Sequence, residues 1–117
     1  RLESVPNALE QAKQAASAIC GRPLPKPEVP WFWSDQFDLR IQIAGLRLDN
    51  TESVVRGDLN SGRFAVFHLD SSNAVRAVEA INASAEFMAG KQLIAQGKRV
   101  ARDRLSNPSL PMQEIAA

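Results

Sequence analysis

The chain has 117 residues, 44% hydrophobic and 23% charged, a size and balance that fit one globular domain with its own core and exclude wholesale disorder. Fourteen basic residues against thirteen acidic leave a net charge of +1, so neither nucleic acid nor an anionic membrane is implied as a partner. The single cysteine, Cys20, excludes an internal disulfide, and no apolar run has the length of a membrane span; a reducing, cytoplasmic setting is the expectation.

The chain opens on Arg1 and runs straight into a helical pattern, which suggests a piece of something longer. Val5, Leu9, Ala12, Ala16 and Ile19 recur at helical spacing, with Ser4 as N-cap, Pro6 tolerated in the first turn and Gly21 as the stop. The pattern predicts an amphipathic helix over 5–20, whose apolar stripe needs a covering surface. Pro23, Pro25, Pro27 and Pro30 then set an extended connector over 23–30, and a domain boundary is expected there.

Next comes Pro30-Trp31-Phe32-Trp33-Ser34-Asp35-Gln36, which holds both tryptophans. Neighbours on an extended backbone face opposite ways, so at least one of the three rings must look away from the core. A flat ring beside polar groups suits a planar ligand or a partner surface; an aromatic strand plugged into a small core is the plainer alternative. Leu39, Ile41 and Ile43 alternate with Arg40 and Gln42 up to Gly45, giving a half-buried strand, and 46–52 reads as a polar link. Strands over 53–59 and 63–69 are joined by Asn60-Ser61-Gly62, where positive φ is needed. After the N-cap oxygens of Asp70-Ser71-Ser72, residues Ala74, Val75, Val78 and Ile81 predict a helix. Ser84 then caps another, with Phe87, Met88, Lys91 and Ile94 near one side and Gly97 at its end. Residues 105–117, broken by Pro108 and Pro111, are expected as irregular coil.

The chemistry sought is mostly missing. There is no Gly-rich phosphate loop and no pair of cysteines, and one His with one Cys falls short of a zinc ligand set. His68 is expected on the solvent side of its strand, and Cys20 as a buried, inert thiol. Asn82-Ala83-Ser84 matches a glycosylation sequon by coincidence. Lys91, Lys98, Arg99, Arg102 and Arg104 form a basic cluster that is either a solvated surface or a steering patch for an acidic protein. Asp35 and Asp38 are unsuited to act as an acid and base pair, because three residues of extended chain put them on opposite faces.

Taken together, the helix headed by Leu2-Glu3-Ser4-Val5-Pro6-Asn7-Ala8, the proline connector, and the aromatic segment running into Phe37-Asp38-Leu39-Arg40-Ile41-Gln42-Ile43-Ala44-Gly45 resemble one family. It is the C-terminal part of the FAD-dependent, NAD(P)H-linked ferredoxin reductases of bacterial oxygenase systems, of the putidaredoxin and rhodocoxin reductase type. The resemblance covers essentially the whole chain. It implies preceding FAD and NAD(P)H domains, hydride transfer from nicotinamide to flavin, and electrons leaving singly to a 2Fe–2S ferredoxin. Residues 1–22 would be the closing helix of the FAD domain, 23–30 the connector and 31–117 the C-terminal domain. The backbone of Ser4 and Val5 would point at the flavin, since a helix N-terminus favours negative charge. Trp33 would stand beside the isoalloxazine, with Trp31 and Gln36 nearby. No catalytic residue and no metal site is expected, and the chain alone should neither retain FAD nor turn over.

The fold class expected is therefore α+β: an antiparallel meander of at least three strands followed by two helices, with an extra N-terminal helix from the preceding domain. The rival is a free-standing interaction or dimerisation module in which helix 5–20 exchanges between chains. Its discriminating measurement is the oligomeric state with and without that helix.

Overall fold

A computed structural model describes residues 4–23 and 29–116. Within them the order is α1 (Val5–Ile19), β1 (Trp31–Gln36), β2 (Leu39–Gly45), β3 (Glu52–Asp58), β4 (Arg63–Leu69), β5 (Val75–Ile81), α2 (Ser84–Gln96), α3 (Arg102–Leu105) and α4 (Met112–Ala116). The architecture is α+β, as the patterning implied. Residues 24–28, with Pro25 and Pro27 of the expected connector, lie outside the described residues.

The strands form one antiparallel sheet in the order β1-β2-β5-β4-β3. One correction is central to it: residues 74–81, expected as a helix, supply the middle strand β5. Their apolar residues satisfy a helical spacing, yet β5 has neighbours on both edges and buries Val75, Ala77, Val78 and Ala80. A strand apolar on both faces loses the period-two signal. Asp70 does accept backbone N–H bonds, from Ser72 at 2.9 Å and Ala74 at 3.1 Å. They close the β4–β5 turn, with Asn73 at φ 65°, and begin no helix.

Helix α2 lies across β5, β2 and β4 and buries Phe87, Gly90 and Leu93 against Phe67, Val78, Ala44 and Ala65. Gly90 is what allows the approach: a Cβ there would stand 2.8 Å from the Val78 Cγ1. Met88, expected beside Phe87, is exposed, because consecutive helical residues diverge by about 100°. The cap of α2 is Ala83, one residue earlier than expected; Ser84 Oγ instead donates to Gln42 Oε1 at 3.1 Å. Gly97 closes the helix in the left-handed region. At the far end of β2, Gly45 has φ 79°, and a Cβ would sit 2.2 Å from the Arg76 carbonyl oxygen.

The 105–117 coil also needs correcting, since α3 reaches into this stretch and α4 lies within it. Buried Arg56 on β3 donates to the carbonyls of Leu105 (3.1 Å), Asn107 (2.8 Å) and Leu110. Leu105 and Met112 add apolar anchors to the core. On the opposite face of the sheet stand Phe32, Ile41, Ile43, Val55, Phe64 and Val66, half-buried or exposed. The apolar side of β2 thus faces away from α2, and the small Ala44 faces it.

Candidate functional site

The strand register sorts the aromatic segment. Trp31 pairs with Ala44 and Trp33 with Gln42, so both indoles are on the face that α2 covers; Phe32, opposite Ile43, is on the other. Trp31 and Trp33 stack with ring centres 5.2 Å apart and planes inclined by 29°. Behind Trp31 stands Phe87 of α2, 6.2 Å away and tilted by 53°. Trp31 is half-buried, whereas Trp33 remains 40% exposed and Phe32 42%. The site is therefore an edge strand with one indole held from behind and a second presented outward.

Gln36, the other residue expected near the indoles, is on the opposite face of β1, where its Nε2 donates to Ser34 Oγ at 3.4 Å. Asp35 pairs with Arg40 at 3.2 Å. Beside β1 runs α1. Ser4 caps it, its hydroxyl accepting from Asn7 N at 3.2 Å, and its carbonyl accepts from Ala8 N. Pro6 has no N–H, so the Val5 amide is the first-turn donor with no partner inside the helix. Ser4 and Val5 therefore stand on an element adjoining the one that carries the indoles.

Two candidates change character. His68, expected toward solvent, is 2% exposed. Its Nε2 is 2.8 Å from Glu79 Oε2 and its Nδ1 3.2 Å from Ser53 Oγ, from the strands on either side. It points away from Phe67 as the alternation required, but neighbouring side chains close over it. Cys20, expected buried, is exposed, because α1 buries none of its residues. The basic cluster is partly tied down: Arg102 bonds Glu52 and, at 2.9 Å, Asn73. Among the described residues, no group of three or more His, Cys, Asp and Glu side chains is placed to hold a metal ion. Likewise no helix there is long and apolar enough to cross a membrane.

One contact made by the basic cluster was not foreseen. Lys91 places its ammonium 4.8 Å from the centre of the Trp31 ring. Its only signal was the spacing Phe87 to Lys91, four residues apart and hence on one side of a helix.

An antiparallel five-stranded sheet with a helix across one face and an indole pair on its edge strand defines an α+β domain of the reductase C-terminal class. Residues 31–116 match that family, described as reductase C-terminal, and the chain belongs to it. The chain is 52% identical over 115 residues to a probable ferredoxin reductase, CtmF, of Castellaniella defragrans, an alignment covering 98% of this chain and 28% of that protein. It is 42% identical over 118 residues to putidaredoxin reductase CamA of Pseudomonas putida, covering 100% of this chain and 28% of that one. Among solved structures, the reductase of a covalent putidaredoxin reductase–putidaredoxin complex superposes with a TM-score of 0.91 at 39% identity. That match covers 97% of this chain and 27% of the other. The chain thus spans less than a third of the length of these relatives.

Proposed function

We propose that the chain is the C-terminal portion of a flavoprotein that passes electrons from NAD(P)H through FAD to a 2Fe–2S ferredoxin serving an oxygenase. In this reading 1–22 close the FAD domain, 23–30 connect, and 31–117 form the domain that completes the flavin site and part of the ferredoxin surface. The observation that carries it is the pairing of two incomplete surfaces: a half-exposed Trp33 on the edge strand, and beside that strand a helix with nothing buried.

The residues present fit a planar, electron-accepting group. FAD supplies the exchange between hydride and single electrons when bound in the longer protein. Trp33 offers a flat apolar wall that excludes water from one side of such a ring. The Val5 amide and the positive end of α1 favour negative charge on a nearby edge. Trp31 backs Trp33, whereas Gln36, on the other face of β1, is not placed against the same side of such a ring. None of these groups makes or breaks a bond, so the chain by itself is read as non-catalytic and without bound FAD.

The test is Trp33→Ala in a reductase of full length that carries this chain. We expect brighter flavin fluorescence, as a quenching indole is removed, and about a tenfold loss in ferredoxin reduction, or about 1.4 kcal/mol. Reduction of a small dye should be nearly unchanged. Flavin emission identical to the unsubstituted enzyme would refute the placement of Trp33, and stoichiometric FAD on the 117-residue chain alone would refute the division of labour.

A further inference from the structure

The indole pair is held from one side only. Trp31 and Trp33 sit on the same face of an edge strand, two residues apart, with planes still 29° from parallel. Stacking alone leaves such a pair free to slide or to rotate about χ1, because its outer member has no ring behind it. What limits that freedom is α2. Phe87 meets Trp31 at 6.2 Å, and one turn later Lys91 brings its Nζ to 4.8 Å from the same ring.

Lys91 is half-buried, and among the described residues it is paired with no carboxylate. A lysine in a chain with thirteen acidic residues that spends its charge on an indole face makes the contact a defined one, since the attraction falls away once the cation leaves the ring's axis. We infer that Lys91 is a positioning residue: by holding Trp31 from the α2 side, together with the Phe87 ring, it fixes the orientation of Trp33, which stacks on Trp31. The inference deepens the reading of Trp33 as the flavin's neighbour, and it rests on that reading for its functional meaning. The geometry it claims exists in the chain alone.

The test uses the 117-residue chain and reads the exciton couplet that two stacked indoles give in circular dichroism. Trp31→Phe abolishes the couplet and identifies it. Lys91→Met keeps the length of the stem and removes the charge; the couplet should fall by at least half, and acrylamide should quench tryptophan emission more efficiently. Lys91→Arg should restore both, because a guanidinium also serves over an indole. A merely structural role for the stem would leave Met as good as Lys. An undiminished couplet in Lys91→Met, with unfolding at the same denaturant midpoint, would overturn the inference. These readouts involve no flavin, so they stand or fall separately from the Trp33→Ala result in the full-length enzyme.

Discussion

Asp70 shows how one side chain can mislead a sequence reading and still be decisive. Its carboxylate accepts from the Ser72 hydroxyl at 2.7 Å and from the Ala74 and Ser72 amides, with Arg76 Nε 3.5 Å away. The Ser72 hydroxyl first, then the Ala74 amide, hold its pKa below the ordinary value of 3.8, against the opposing effect of desolvation. A depressed folded-state pKa means that the unfolded chain binds the proton more readily. The stabilisation is therefore fully present above 3.8 and fades as the pH falls below it. Asp70→Asn should weaken the turn at neutral pH and flatten the acid limb of a denaturation profile taken below pH 4. An acid limb of unchanged steepness would show that Asp70 is not the group being titrated. His68 and Cys20 were misjudged at this same scale, since exposure depends on what neighbouring strands bring alongside, which no local pattern records.

The elements divide into those whose local signals agree and those fixed by distant partners. Helix α1 was legible from its cap and spacing, β2 from its alternation, and β3 and β4 from the turn between them, where Gly62 has φ 75°. The aromatic segment was legible as a stretch with at least one ring facing outward, but its place at the edge of the sheet was not. Strand β5 was not, because a central strand buried on both faces resembles a helix face. Nor was the C-terminal segment, whose short helices depend on Arg56, 49 residues before Leu105. That guanidinium is 4% exposed, with Glu86 Oε1 3.7 Å from its Nε. Arg56→Met should cost about 3 kcal/mol, since three carbonyls lose a charged donor and the largely buried Glu86 carboxylate loses the more buried of its two arginine partners. Limited proteolysis should then cut within 105–117 before it cuts the sheet. A C-terminal segment as resistant as before would mean that Leu105 and Met112 suffice to hold it.

Across the whole molecule, two apolar surfaces lack a cover among the described residues: the stripe of α1, with Ile19 86% exposed, and the sheet face opposite α2. On the reading proposed above, preceding domains cover α1. The alternative is a second copy that exchanges helix 5–20. Sedimentation separates them: we expect the chain and a version lacking 1–22 to be monomers alike, whereas a dimer that dissociates on deletion would establish exchange.

The strand order carries one more consequence. Strands β3, β4 and β5 pair in sequence order, whereas β2 and its inner partner β5 are separated in sequence by the whole of β3 and β4. Pairing between segments distant in sequence is the slow kind. The β1–β2 hairpin is thus the piece that arrives by long-range closure, and it carries both tryptophans. The two indoles would therefore report the laying down of the sheet's edge rather than the closing of the meander.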